Sequence, residues 1–267
     1  MTVISYQEKY LPTIEVIANA FEIPELERTR RISALLPHDY GKTDKHYPVL
    51  YLQDGQNLAD EHAPFGNWAV DKRLAILTAL GKGDIIVIAI DHGEKDRISE
   101  YQPYKVKKWG DSEGKKYASW LVEKLKPYVD KNFRTLPGRE NNGIGGSSMG
   151  GLISIYAGLM YPDIFSKLMI FSPSFWTTSK IFSDALNFNH PEGTHIYLYG
   201  GGKESKDMVP DIMQIVDSLE SEENPAINTE IQVSIDPEGI HNEAAWGKEF
   251  PRALDWLYFY TKGNHEN

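Results

Sequence analysis

The stretch Asn142-Gly143-Ile144-Gly145-Gly146-Ser147-Ser148-Met149-Gly150-Gly151-Leu152 decides the fold. It contains G-x-S-x-G as Gly146, Ser148 and Gly150, between a short strand candidate and Leu152-Ile153-Ser154-Ile155-Tyr156-Ala157, which reads as a helix. At such a corner a strained turn lifts the serine above a sheet, and side chains at 146 and 150 would collide with the neighbouring strand and helix. The helix N-terminus then aims N–H groups and a positive dipole end at a reacting oxygen. A glycine-rich turn with an incidental serine is the plainer alternative, and the strand before and helix after the motif argue against it. Nucleotide readings fail. A dinucleotide fingerprint starting at Gly143 would need glycine at Ser148, and Gly200-Gly201-Gly202-Lys203 is followed by Glu204 where a P-loop requires Ser or Thr.

Outward from this corner, short runs rich in Val, Ile and Tyr alternate with stretches of helical period. The strand candidates are Ile14 to Ala20, Arg30 to Leu36, Val49 to Gln53, Ile85 to Ile90, Asn142 to Gly146, Leu168 to Phe171, Ile196 to Tyr199 and Glu230 to Ser234. From Val49 onward they are almost continuously apolar, as strands buried on both faces are, whereas the first two alternate and suit an antiparallel edge. Apolar residues recur at helical steps over 115–128, over 208–219 and from Trp246 to Tyr258, each making a stripe for packing on a sheet. The expectation is an α/β fold, a mostly parallel eight-stranded sheet with helices on both faces. With no internal repeat, low-complexity tract or long Pro/Gly/Ser linker, residues 1–267 read as one domain.

Composition narrows the chemistry. Lys and Arg number 28 against 38 Asp and Glu, a net charge of −10, and that field repels a phosphate backbone, so nucleic acid is not an expected partner. The chain has no cysteine, which excludes disulfides, thiolate metal sites and Cys nucleophiles and leaves covalent chemistry to Ser, Thr, Lys or a carboxylate. No HExxH occurs, and His241-Asn242-Glu243 has the H-x-E of zinc deaminases without their cysteines, so no metal and no cofactor is expected. Gln7, Glu8 and Lys9 stand where a signal peptide would be apolar, and no run approaches the ~18 apolar residues of a membrane span. A cytoplasmic protein with no membrane partner is expected; oligomeric state is left open.

A serine hydroxyl needs a base, and histidine is the side chain suited to that near neutral pH. On an elbow of this kind the partners follow in the order Ser, Asp or Glu, His. His241 fits. It follows the last strand candidate through the turn-rich Asp236-Pro237-Glu238-Gly239-Ile240 and precedes the final helix, whereas His38, His46, His62 and His92 precede the serine, His190 precedes the acid loop, His195 opens a strand and His265 lies in the tail. The acid should follow the strand ending near Tyr199, where Glu204 and Asp207 compete; Glu204 is favoured because Asp207 also suits an N-cap. A pair without a carboxylate is the third possibility. One oxyanion donor is the N–H of Met149, and the other should come from the loop after the third strand, in Gln53-Asp54-Gly55-Gln56-Asn57.

These motifs together resemble the putative-esterase branch of the α/β-hydrolases. That branch includes esterase D-like enzymes, trilactone esterases of the ferric-enterobactin type, carbohydrate acetyl and feruloyl esterases, and mycolyltransferases. The resemblance rests on Tyr51-Leu52-Gln53-Asp54-Gly55-Gln56-Asn57, Trp68-Ala69-Val70-Asp71, residues 97–104 (RISEYQPY), the elbow, Tyr161-Pro162-Asp163-Ile164-Phe165, Ser172-Pro173-Ser174-Phe175-Trp176, Gly202-Lys203-Glu204 and Gly239-Ile240-His241. It implies Ser148 as nucleophile, His241 as base and the N–H groups of Gln56 and Met149 as oxyanion donors; some relatives work without a triad acid. The implied reaction is ester hydrolysis through an acyl-enzyme on a small-molecule ester. Tyr101, Tyr104, Trp109 and Trp176 are placed near the rim, with Tyr101 and Trp176 taken as substrate-binding. Acylated carbohydrate, acetyl or feruloyl, is the first substrate class and a siderophore trilactone the second. An acyltransferase and a non-catalytic binding protein would share the fold.

Overall fold

A computed structural model describes residues 8–106, 112–221 and 228–260. Along the chain run β1 (Thr13–Ile23), β2 (Arg28–Leu36), β3 (Val49–Gln53), α1 (Val70–Ala79), β4 (Ile86–Ile90), α2 (Arg97–Tyr101) and α3 (Gly114–Trp120). A π turn at Leu121–Leu125 joins α3 to α4 (Lys126–Asn132). Then come β5 (Asn142–Ser147), α5 (Met149–Met160), β6 (Lys167–Phe171), α6 (Lys180–Leu186), β7 (Thr194–Gly201), α7 (Met208–Leu219), β8 (Thr229–Asp236) and α8 (Glu243–Leu254).

Among the described residues, eight strands form one sheet in the order β1-β2-β4-β3-β5-β6-β7-β8. β2 pairs antiparallel with both β1 and β4, and every other pairing is parallel, so β2 alone runs against the rest. This is the expected mostly parallel α/β sheet with an antiparallel edge. The edge strand β1 is mostly exposed and carries two register shifts, between Val16 and Ala18 and between Ala18 and Phe21, which disrupt the flat edge that another chain could extend.

The apolar runs of the inner strands follow from burial on both faces. In β3 and β4, Val49, Tyr51, Ile86 and Ile88 point to one side, where α3, α4, α5, α6 and α7 pack. Their alternates Leu50, Leu52, Val87 and Ala89 point to the other, against α1 and α8. The two cores clamp the sheet, so the loops at the C-terminal ends of β3 to β8 are carried on a common frame. The candidate site is built from those loops.

Candidate active site

Ser148 occupies the corner between β5 and α5 with φ 58° and ψ −122°, a conformation L residues rarely adopt. Its N–H donates to the Phe171 carbonyl at 3.0 Å, and its own carbonyl accepts from Leu152 N and Ser174 N. The glycines are steric necessities: a Cβ at Gly146 would sit 2.9 Å from the Gly150 backbone, and one at Gly150 would sit 2.8 Å from Asp54 Oδ2 and 3.0 Å from Gln53 Cβ. The Ser148 hydroxyl lies 3.3 Å from Ser174 Oγ.

His241 is held just ahead of α8, whose N-cap Asn242 accepts from Ala245 N through its side chain at 2.9 Å. Its Nδ1 lies 2.6 Å from Glu204 Oε2. The other oxygen, Oε1, accepts from Ser172 Oγ at 2.6 Å and from Gly201 N at 2.7 Å. The Glu204 side chain is 2% exposed. This meeting needs two loops to touch, and the chain meets the need with glycine on both sides: a Cβ at Gly201 would lie 2.4 Å from the Gly239 carbonyl carbon. Asp207 does not join them. It is exposed at the start of α7, where Ser205 Oγ rather than the Asp207 side chain accepts from Asp207 N and Met208 N.

Opposite the elbow, β3 is followed by Asp54 in a left-handed conformation (φ 58°) and then by the 3-10 turn Gly55–Asn57 that carries Gln56. Arg97 holds the Asp54 carboxylate with Nε and Nη2, and its guanidinium lies 5.3 Å over the Tyr101 ring. Burial opposes the Arg97 charge, yet the adjacent Asp54 carboxylate outweighs it and raises Arg97 above its ordinary value. Gln56 Oε1 accepts from His92 N at 2.9 Å, tying this turn to the loop after β4. His92 Nδ1 accepts from Glu94 N at 2.8 Å, which leaves Nε2–H as its donor. Burial pushes His92 below its ordinary value and so favours the neutral ring. Met149 opens α5 directly after Ser148.

Ser148 and His241 share the walls of a cleft of about 610 Å³, together with Asp54, Phe65, Arg97 and Glu243. Burial, with Asp54 adding to it, raises the Glu243 carboxyl above the ordinary glutamate value. A larger groove of about 820 Å³ adjoins it, sharing His92 and Glu94 and bordered by Gln56.

Two expectations about aromatic side chains are corrected. Tyr101 is fully buried with its ring 5.3 Å from that of Tyr117, so it supports Arg97 from beneath and offers no face to a ligand. Tyr104 is also buried, with its hydroxyl on Asp184 and its ring against Tyr156. Trp176 is 60% exposed on the turn Phe175–Thr177, outside the cleft wall, and Trp109 lies outside the described residues. Phe65, 70% exposed, is an aromatic side chain that does line the cleft.

The family profile described as Putative esterase matches residues 23–257. The chain belongs to that family. Among its relatives, the uncharacterized protein YbbA of Bacillus subtilis (strain 168) is 24% identical over 242 residues, covering 86% of this chain and 92% of YbbA. The enterobactin esterase FES of Shigella flexneri, solved with enterobactin, superposes with a TM-score of 0.74 at 19% identity, covering 94% of this chain and 60% of FES. A ferulic acid esterase of Anaeromyces mucronatus, solved with ferulic acid, gives 0.67 at 19% identity, covering 91% and 90%.

The candidate site also contains Ser172, Trp246, Arg97, His92 and Phe65, to which the sequence alone assigns no role there. Trp246 reads in sequence as one member of a core stripe. In the structure it is 4% exposed, its Nε1 donates to Ser172 Oγ at 2.8 Å, and its ring meets the His241 imidazole edge to face at 4.9 Å. No sequence signal separates that role from packing; for Arg97, the Arg-x-x-x-Tyr spacing on α2 after a turn was the available hint.

Proposed function

We propose that the protein is a serine esterase in which Ser148 is the nucleophile, His241 the base and Glu204 the acid that orients it. The observation that carries this reading is the 2.6 Å contact between Glu204 Oε2 and His241 Nδ1, in one cleft with a serine on a strained elbow. Ser148 Oγ attacks the ester carbonyl while His241 Nε2 takes its proton. The N–H groups of Met149 and Gln56 receive the developing negative charge. The C–O bond to the alcohol breaks as His241 returns the proton to the leaving oxygen, and water repeats the sequence on the acyl-enzyme. Rotation about the Ser148 side chain, from Ser174 toward the imidazole, precedes the attack; catalytic hydrogen bonds commonly tighten only with substrate present.

For the substrate we favour a neutral aromatic or short acyl ester of a carbohydrate over a siderophore trilactone. Phe65 and Ile98 put exposed apolar surface on the cleft wall. The charged wall residues are Asp54, Glu94 and Glu243 against Arg97 alone, and Arg97 is already committed to Asp54. Such a wall repels a ferric catecholate anion. The test is an ester panel of acetyl, short-chain, feruloyl and trilactone substrates, run with wild type and Ser148→Ala. Feruloyl or acetyl turnover that depends on Ser148 supports the reading, and preference for the trilactone overturns the substrate assignment. Added acceptor alcohols distinguish hydrolysis from acyl transfer by product.

A further inference from the structure

Building on the Ser148–His241–Glu204 reading, we infer that Trp246 and Ser172 are positioning residues whose one-way hydrogen-bond chain fixes which nitrogen of His241 carries the proton. An indole N–H can only donate. Trp246 Nε1 donates to Ser172 Oγ at 2.8 Å, so the Ser172 hydroxyl proton must point elsewhere, and it meets Glu204 Oε1 at 2.6 Å. That oxygen also takes the Gly201 N–H at 2.7 Å. With Oε1 occupied by two donors, Oε2 accepts from His241 Nδ1 at 2.6 Å. The chain therefore ends with a proton on Nδ1 and the lone pair on Nε2, the nitrogen that must accept the Ser148 proton.

The surroundings keep this direction. Ser172 is fully buried and Trp246 is 4% exposed, so water does not compete for their hydrogen bonds. Ser172 also sits at φ 42°, in the left-handed region, where glycine would be the relaxed choice. A serine held there at a conformational cost is accounted for by its hydroxyl. Its backbone N–H is anchored on the Tyr199 carbonyl at 2.7 Å, which places Oγ between the indole and the carboxylate. Trp246 acts a second time through its ring, which lies edge to face against the imidazole at 86° and limits its tilt.

Two variants test the chain. Ser172→Gly deletes the hydroxyl while relaxing the backbone, so it retains the fold; Trp246→Phe keeps a ring beside His241 and deletes the N–H. For both, kcat is expected to fall roughly tenfold or more with KM nearly unchanged. The acid limb of kcat/KM is expected to move to higher pH, because a carboxylate relieved of a donor holds the imidazolium more strongly. The larger move belongs to Ser172→Gly, since Trp246→Phe only frees the hydroxyl to turn. A merely structural role would alter the melting temperature and leave the acid limb in place. Ser148→Ala is measured in parallel. Activity persisting in Ser148→Ala overturns the catalytic reading itself. Ser148-dependent activity with kcat and the acid limb unmoved in Ser172→Gly overturns the positioning inference alone, whatever the folding of Trp246→Phe.

Discussion

Arg97 grips Asp54 through two parallel hydrogen bonds, Nε to Oδ1 at 2.6 Å and Nη2 to Oδ2 at 2.8 Å, across 43 residues of chain. Asp54 is the left-handed residue that launches the turn bearing Gln56, so this pair sets the height of the turn above the sheet. Removing Arg97 leaves the Asp54 carboxylate buried and uncompensated. Arg97→Ala is expected to lose about 2–3 kcal/mol in urea unfolding, less than for a fully buried pair because Arg97 keeps some solvent contact. Its kcat should fall with it. Full activity in Arg97→Ala would separate the pair from the turn.

The elbow stores strain at Ser148. Ser148→Gly is expected to abolish turnover and fluorophosphonate labelling yet to unfold at higher denaturant, by roughly 1 kcal/mol, since glycine adopts this backbone without the side-chain clash. A glycine variant less stable than wild type in chemical denaturation contradicts this.

Glu204 and Asp207 are distinguishable by kinetics. Glu204→Gln puts an amide on His241 Nδ1 and disturbs the tautomer, and kcat is expected to drop on the order of 100-fold or more. Asp207→Asn, at an exposed position, should leave kcat within about twofold. Equal losses at the two positions would point away from Glu204.

On the proposed feruloyl-ester reading, Phe65 on the cleft wall contacts the aromatic acyl group. Phe65→Ala should raise KM for a feruloyl ester about tenfold while changing acetyl ester kinetics little, given the ~0.5–1.5 kcal/mol of an aromatic pair together with its buried area. The ratio of the two kcat/KM values reads this directly. An unchanged ratio removes Phe65 from the substrate site.

Acid should destabilise the protein through His190, which is buried, with Nδ1 2.9 Å from Thr229 Oγ1 and its ring against Phe188. Burial lowers this imidazole from its ordinary 6.5. The unfolded chain then binds the proton more readily, so the contribution is fully present above pH 6.5 and is lost as pH falls below it. Melting curves between about pH 7 and pH 5 should show a shallower decline for His190→Gln than for wild type. Parallel declines would exclude this histidine as the cause.

Much of this architecture was legible in the order of residues. Eight apolar or alternating runs marked eight strands, because side-chain period and burial on two faces are local properties of a strand. The Gly-x-Ser-x-Gly corner was legible for the same reason: close packing of two backbones demands glycine wherever it occurs. Strand ends were less so. β1 extends to Ile23 and β7 to Gly201, beyond the apolar runs, since pairing continues where a neighbour supplies hydrogen bonds.

Tertiary structure alone decided which groups meet. Glu204 and Asp207 are three residues apart and chemically alike, and only the approach of Gly201 to Gly239 puts one on His241 and leaves the other in water. Tyr101 was expected at the rim and Phe65 was not, yet Tyr101 is sealed against Tyr117 and Phe65 lines the cleft. The link from Trp246 through Ser172 to Glu204 joins residues 74 and 32 positions apart. Periodicity and motif spacing report what a segment needs from its immediate surroundings. The partner of a polar atom is set by loops converging from distant strands, and that information exists only once the sheet has fixed where the strands end.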